Sequence, residues 1–242
     1  MISNFSVVVL IVGSAIMCIG APESGSREVS DRNRDAVLKY LRQVAGSSDI
    51  AIRLYYRGAC DPKAEDPIPF PFVNVQQPSK GKTGLAALRE IFKKDKSVTV
   101  TEETGIIRIW IGTMQTAILR TRLSMLTLDE LGQYNPNEAI IAINNSKEME
   151  TAVHSLGVKP VWSASSSRAL PAKELPHLPA CMRNVTVEQV LDLMAKTWDG
   201  PIIYGACAVP TNANGGGRFF IDSAQDVIPK GAWKKLGIQR PD

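Results

Sequence analysis

The sequence is poor in the residues on which most enzyme active sites depend. Its 242 residues include two histidines, His154 and His177, which lie in different segments without a cysteine or carboxylate at metal-ligand spacing. The G-x-S-x-G motif of hydrolases and the C-x-x-C pair of redox enzymes are both missing. The glycine run 215–217 lacks the Lys-Ser/Thr sequence of a phosphate loop and is typical of a hairpin tip. We therefore expect no catalytic centre, no metal and no cofactor.

No strongly basic segment is present either. The net charge is +4 and the pI is about 8.9. The densest basic run, Lys93, Lys94 and Lys96, also contains Asp95 and is typical of the solvated end of a helix. Because a nucleic-acid-binding protein concentrates Lys and Arg on one face, we expect no nucleic-acid partner. The 44% hydrophobic and 21% charged content is typical of a packed globular protein, and the sequence identifies no small-molecule ligand.

The amino terminus carries an apolar run over 7–19 that is shorter than the roughly 20 residues of a membrane-spanning helix. Small residues at Cys18 and Gly20, followed by a polar stretch, predict a signal peptide over 1–20 that is cleaved after Gly20. We therefore expect a periplasmic or secreted protein. Two alternatives stay open. The first alternative is an uncleaved membrane anchor, because no Lys or Arg precedes the apolar run. The second is a lipoprotein in which Cys18 carries the lipid, although the bulky Met17 before it departs from that signal.

Cleavage leaves three cysteines, Cys60, Cys181 and Cys207, which indicates one disulfide and one free thiol. Cys181 precedes the last predicted helix, and Cys207 follows the next strand. A helix of about 20 Å and a strand returning a similar distance bring these two positions together. This geometry favours a Cys181–Cys207 disulfide, with Cys60 free. A Cys60–Cys207 disulfide is the rival pairing.

The first part of the chain alternates between helical and extended patterns. A flexible lead-in over 21–34 is followed by a predicted α+β domain over 35–112. Its apolar periodicity and β-branched runs predict the elements listed here: a helix over 35–45, a strand over 50–56, a proline-rich loop over 62–71, a short strand over 72–75, a helix over 85–92 and a hairpin of strands 98–101 and 106–111.

The middle region, 113–162, is predicted to be an α/β connection. Alternation predicts a strand over 119–128, and Asn135 with Pro136 is typical of a helix start. That helix either continues to Gly157 or breaks at Asn144-Asn145. A strand over 139–143 with a new helix from Ser146 is the alternative.

Serines and prolines over 163–183 predict a linker. A second helix-strand-strand unit follows over 184–228, and 229–242 is read as a tail. Thr186 and Gln189 form a predicted capping box, Val185 and Val190 a predicted hydrophobic staple, and Gly200 is the predicted helix stop. The listed features complete the unit: Met194 in the core, a strand over 202–204 and a strand over 218–222.

Three segments thus follow one plan of helix, strand, loop and strand, over 35–75, 84–111 and 187–222. The plan predicts an α+β fold of small helix-strand-strand units, with helices packed on mixed or antiparallel sheets. The segment 56–62, YRGACDP, echoes 204–210, YGACAVP. Duplication and chance are both open explanations of this echo.

The first two units together resemble the short N-terminal domain of secretins and TonB-dependent receptors, which pairs two helix-strand-strand units. The residues that carry the resemblance are 36–41 with 50–52, 84–92 with 105–109, and the helix pattern of 184–196. It covers under half of the chain. The proline-rich segment 62–71 and the lack of a secretin pore region or a receptor barrel depart from the family.

The resemblance implies a contact module that binds partner proteins without catalysis. With the export signal, it predicts a non-enzymatic interaction module of the bacterial cell envelope, whose partner is an envelope protein. An exposed sheet edge is the expected contact surface, through strand addition. Two alternatives from other classes are a secreted hydrolase with a site assembled from distant residues and a membrane-anchored accessory lipoprotein.

Overall fold

The fold is given by a computed structural model, which describes residues 23–48, 50–60, 68–161, 175–207, 217–223 and 230–231. The predicted signal peptide 1–20, most of the predicted linker and nearly all of the tail lie outside these residues. The helices are α1 Glu23–Ser48, α2 Gly84–Ile91, α3 Glu130–Tyr134, α4 Pro136–Asn144, α5 Lys147–Leu156 and α6 Val187–Thr197, with a 3-10 turn Ile118–Arg120. The strands are β1 Ala51–Arg57, β2 Val98–Glu103, β3 Ile106–Ile111, β4 Arg122–Thr127, β5 Lys159–Pro160, β6 Cys181–Thr186, β7 Ile202–Cys207 and β8 Arg218–Ser223.

Six strands form one mixed sheet in the order β2-β3-β1-β7-β8-β5. Strands β1, β3 and β7 run parallel at its centre, β2 is antiparallel to β3, β8 is antiparallel to β7, and β5 is parallel to β8. Strands β4 and β6 form a separate antiparallel pair. Helices packed on a mixed sheet confirm the predicted α+β class.

The central strands are buried on both faces, which explains why β7 is buried along its whole length. Side chains alternate between the faces. Ile52, Leu54 and Tyr56 of β1 join the core formed with α1 and α2, which we call the α1–α2 face of the sheet. Tyr55 joins the core formed with α6 on the opposite side, the α6 face. Helices therefore cover the sheet from both sides.

The predicted first domain and last unit share this sheet, because β1 of one pairs in parallel with β7 of the other. The helix-strand-strand plan holds for α2-β2-β3 and for α6-β7-β8. The short strand predicted over 72–75 is wrong. Val73 instead exchanges two hydrogen bonds with the side-chain amide of Asn33, at 2.8 and 2.9 Å, which satisfies its backbone without a neighbouring strand.

The lead-in predicted over 21–34 is helical from Glu23, so the flexible description is wrong for its described part. Ser30 Oγ donates to the carbonyl of Phe70 at 2.8 Å, close to the bonds that Asn33 makes with Val73. Through these hydrogen bonds the polar first half of α1 contacts the segment 68–73. This tertiary contact stabilises the helix where the sequence shows no apolar periodicity.

The predicted long helix breaks at Asn144, and a new helix begins at Lys147 with Ser146 as its cap. Gly157, in the left-handed conformation at φ 60°, ends α5 as predicted. The strand predicted over 119–128 is a 3-10 turn followed by β4. The described part of the predicted linker, 175–183, is not a linker: Leu175 and Leu178 are buried, and β6 begins at Cys181.

The last unit matches its local signals. The capping box of Thr186 and Gln189 is complete, and Met194 is fully buried. Helix α6 ends at Thr197 with Trp198 as its C-cap, three residues earlier than the predicted stop at Gly200. Trp198 is fully buried, and its backbone N–H bonds the carbonyl of Met194 at 3.0 Å.

Gly205 is packed tightly within the sheet. Its backbone lies between Tyr56 of β1 and Phe220 of β8 in the sheet register. A Cβ atom on Gly205 would lie 2.1 Å from Cε1 of Phe220, well inside van der Waals contact. The Phe220 ring therefore occupies the space that a side chain would need, and it meets the Tyr56 ring edge-on at 5.4 Å.

We expect Gly205→Ala to lower the free energy of unfolding by about 1–3 kcal/mol, because the methyl group overpacks this site. Urea denaturation of the purified variants measures the change. Adding Phe220→Leu removes the ring edge, so the Gly205→Ala change should cost less in the Phe220→Leu background than in the wild type. An equal cost in both backgrounds would contradict the proposed contact.

Candidate functional site

The two edges of the six-stranded sheet differ in how they are protected. One edge, β5, is two residues long and contains Pro160. The other edge, β2, pairs with β3 through six consecutive residue pairs without a bulge and contains neither Pro nor Lys. Short length and proline are common protections of edge strands. The β2 edge lacks both, and no strand in the described part of the chain lies beyond it.

The hydrogen-bond pattern shows which groups of β2 point outward. The N–H of Gly112 donates to the carbonyl of Ser97 at 2.9 Å, which makes them a hydrogen-bonded pair. Such pairs alternate along antiparallel strands. Thr99 and Thr101 therefore direct their backbone groups toward β3, whereas Val100 and Glu102 direct theirs away from the sheet. These outward groups form the available surface for another strand.

The side chains of the β2 edge combine apolar contact with charge. Val98 and Val100 pack against the core of the α1–α2 face. Glu102 and Glu103 are exposed at the carboxyl end of the strand, and Lys96 is exposed just before its start. The charge along this edge thus changes from basic to acidic.

A charged cluster lies behind this edge, on the α6 face. Arg53 of β1 and Arg108 of β3 are register partners, and α6 covers them. Asp192 accepts from Nη1 of Arg53 at 2.8 Å through one oxygen and from Nη2 of Arg108 at 2.6 Å through the other. Glu188, one helical turn earlier, lies 3.6 Å from Nε of Arg108 and accepts from the Tyr55 hydroxyl.

Burial sets the electrostatics of this cluster. The Arg53 side chain is 0% exposed, so its charge depends on the carboxylates of α6. Burial raises the pKa of Tyr55, which stays a neutral hydroxyl donor. Burial also raises the pKa of Asp192, against the opposing effect of the Arg53 and Arg108 guanidinium groups. The Tyr55 ring stacks on Trp110 with centroids 3.8 Å apart and lies 4.9 Å from the Arg53 guanidinium.

The cluster joins α6 to the sheet. The two histidines lie elsewhere. His154 is exposed near the end of α5, and the Nδ1 atom of His177 is 2.9 Å from the carbonyl oxygen of Leu175. Among the described residues, no group of three His, Cys, Asp or Glu side chains is placed to hold a metal ion.

The disulfide joins Cys60 to Cys207, with their Cα atoms 5.5 Å apart, and Cys181 is an exposed free thiol. The favoured Cys181–Cys207 pairing is therefore wrong, and the rival pairing is the one observed. The reason is non-local. Cys60 and Cys207 lie at the carboxyl ends of β1 and β7, which are neighbours, whereas Cys181 lies in β6 and pairs with Thr127 of the separate sheet.

Sequence reasoning missed the charged cluster entirely. Arg53 and Arg108 each sit alone inside an apolar strand, and Glu188 and Asp192 are four apart on an amphipathic helix. The one available signal was an arginine in the middle of each of two strongly apolar strands, because a buried charge requires a partner.

No helix in the described part of the chain is long and apolar enough to cross a membrane. Comparisons with protein-family models, with curated proteins and with solved structures find no match.

We expect Asp192→Asn to lower the free energy of unfolding by about 3 kcal/mol, because it removes the carboxylate that bridges the buried Arg53 and Arg108 and leaves Arg53 with Glu188, at 3.8 Å, as its carboxylate partner. Glu103→Gln is the matched control. The Glu103 side chain is 66% exposed and lies 3.6 Å from Arg108, so its loss should cost about 1 kcal/mol or less. Urea denaturation of the oxidised protein measures both. Equal costs would contradict the bridging role of Asp192.

We expect iodoacetamide to modify Cys181 and to leave Cys60 and Cys207 unmodified when the non-reduced protein is denatured. Peptide mass mapping should then recover residues around Cys60 and Cys207 as one linked pair. A linked pair that contains Cys181 would contradict the observed connectivity.

Proposed function

We propose that the protein is an exported, non-enzymatic interaction module of the bacterial cell envelope, which binds an extended segment of a partner protein along β2. The observation that carries the proposal is the open edge, with the outward backbone groups of Val100 and Glu102 next to an uninterrupted six-residue ladder. Strand addition uses such an edge, since backbone hydrogen bonds supply affinity and alternate side chains supply specificity.

The chemistry of the edge specifies the occupant. A bound segment contacts Val98 and Val100 on one face, so β-branched or other apolar residues at alternate positions fit there. The exposed Glu102 and Glu103 favour a basic residue at the corresponding end of the segment, because opposite charges across paired strands stabilise and like charges destabilise. The proposed occupant is therefore an extended, alternating segment with Lys or Arg opposite these glutamates.

The cysteines support the proposed compartment. The Cys60–Cys207 disulfide is consistent with an exported protein, because such bonds persist in oxidising compartments. The predicted signal peptide over 1–20 gives a route out of the cytoplasm. The resemblance to the short N-terminal domain of secretins and TonB-dependent receptors supports a contact role in place of catalysis.

The test places a photo-activated cross-linking amino acid at Thr99, an exposed position on β2, in cells that produce the protein. The same group at Lys159, on the opposite edge of the sheet, is the positional control. We expect the Thr99 site to trap one envelope protein through an extended segment with a basic residue, identified by mass spectrometry of the linked peptide. The Lys159 site should not trap it.

Two variants test whether the backbone makes the contact. Glu102→Pro removes one outward N–H, whereas Glu102→Ala removes the carboxylate and keeps the N–H. We expect Glu102→Pro to abolish the cross-link and Glu102→Ala to weaken it. Cross-links from Thr99 to a second copy of this chain, or equal yields from both variants, would overturn the proposal.

A further inference from the structure

The β2 edge presents a second row of side chains on the α6 face. Side chains alternate along a strand, so Thr99, Thr101 and Glu103 lie on the face opposite to that of the two valines. Thr99 is the register partner of Trp110, and Trp110 is the register partner of Tyr55. The side chains of Thr99, Trp110 and Tyr55 therefore form one row across the sheet, from its edge toward its centre.

Trp110 is the first large side chain of this row inward from the edge. Its ring is parallel to the Tyr55 ring, at an interplanar angle of 8°, and the centroids are 3.8 Å apart. Tyr55 is fully buried, whereas Trp110 is half-buried. Because Tyr55 covers the Trp110 ring from the side of β1, the opposite face of that ring is directed toward β2. We call this the outer face of Trp110.

Thr99 separates the outer face of Trp110 from the edge by one short side chain. Thr99 is exposed and lies on the strand between Trp110 and the open edge. Neighbouring strands are about 4.8 Å apart, so a strand added to β2 lies about 10 Å from β3. Aromatic and other long side chains reach neighbours beyond the residue directly opposite. A large side chain on the added strand can therefore lean over Thr99 toward Trp110.

The backbone of Thr99 determines how close such a side chain comes. Thr99 directs its backbone groups toward β3, so with an added antiparallel strand it forms a non-hydrogen-bonded pair. The Cα atoms of such a pair are about 4.5 Å apart, compared with about 5.5 Å in a hydrogen-bonded pair, and the side chains are closer. The residue opposite Thr99 is thus held on the α6 face, close beside Thr99.

We propose that the segment bound along β2 is antiparallel and carries an aromatic residue opposite Thr99, whose ring packs against the outer face of Trp110. Aromatic pairs contribute more than their buried area alone, and the contact removes indole surface from water. With apolar residues beside Val98 and Val100, the segment is then recognised on both faces of the sheet. This inference rests on the proposed function, because it specifies one residue of the occupant at the same edge.

The test uses a fluorescein-labelled peptide of the sequence Lys-Thr-Val-Phe-Val-Thr-Ser. In antiparallel register it places its lysine opposite Glu102 and its phenylalanine opposite Thr99. Two further peptides carry alanine or arginine in place of the phenylalanine. Fluorescence anisotropy measures their affinities for the purified oxidised protein. We expect the phenylalanine peptide to bind about tenfold more tightly than the alanine peptide, and more tightly than the arginine peptide.

Substitutions of Trp110 separate the ring contact from a general effect on the fold. We expect Trp110→Leu to bind the phenylalanine and alanine peptides equally, whereas a general disturbance of the sheet would weaken both and keep their ratio. Trp110→Phe keeps a ring and should retain part of the preference. Phe72→Leu is the matched control, since Phe72 is an exposed ring in the segment 68–73, which packs on the α1–α2 face. It should keep the full preference.

Glu102→Pro distinguishes a failure of this inference from a failure of the proposed function. It should weaken the binding of all three peptides, because one outward N–H is lost. Three results would overturn the aromatic contact and leave strand addition in place: equal binding of the phenylalanine and alanine peptides, an unchanged preference in Trp110→Leu, or tightest binding of the arginine peptide. Absence of binding by every peptide, or binding that Glu102→Pro leaves unchanged, would overturn both proposals.

Discussion

The parallel pairing of β1 with β7 is the constraint on which the rest of the structure depends. It joins residues of the first predicted unit to residues of the last, with five consecutive register pairs from Arg53↔Ile202 to Arg57↔Ala206. Because the two strands end side by side, Cys60 and Cys207 come within disulfide reach. The same pairing places Gly205 between Tyr56 and Phe220. The disulfide and the tight packing at Gly205 are thus consequences of one non-local contact.

This pairing also defines what the disulfide does. The two cysteines are 147 residues apart, so the bond closes a loop that runs from just after β1 to the end of β7. In the chain-entropy model a loop of this length stabilises the fold by about 5 kcal/mol through the unfolded state. Parallel pairing between distant segments is slow to form, since loop closure precedes any gain from contact. The covalent link holds together strand ends that no short turn connects.

Short-range sequence signals predicted the elements that are stabilised by interactions between residues close in sequence. The α2-β2-β3 unit and the capping box of Thr186 and Gln189 follow from periodicity, turn residues and caps within short windows. The sequence signals failed where a distant segment decides the outcome. The side chain of Asn33 bonds the backbone of Val73, where a strand partner was expected. Pairing with β4 makes 181–186 a strand. The β1–β7 pairing brings Cys60, and not Cys181, next to Cys207. Of the proposed contact surface, the hairpin that carries β2 was predictable, but the edge position of β2 depends on the order of all six strands.

The buried charges determine which part of the sheet stays open. Asp192 accepts from Arg53 and Arg108 on adjacent strands, so α6 is positioned over β1 and β3. A purely apolar helix face would pack with less positional preference, whereas a misplaced α6 would leave Arg53 buried without a partner. Held there, α6 does not extend over β2, where Thr99 and Glu103 stay exposed. The charged cluster thus fixes the boundary between the part of the sheet that α6 covers and the β2 edge.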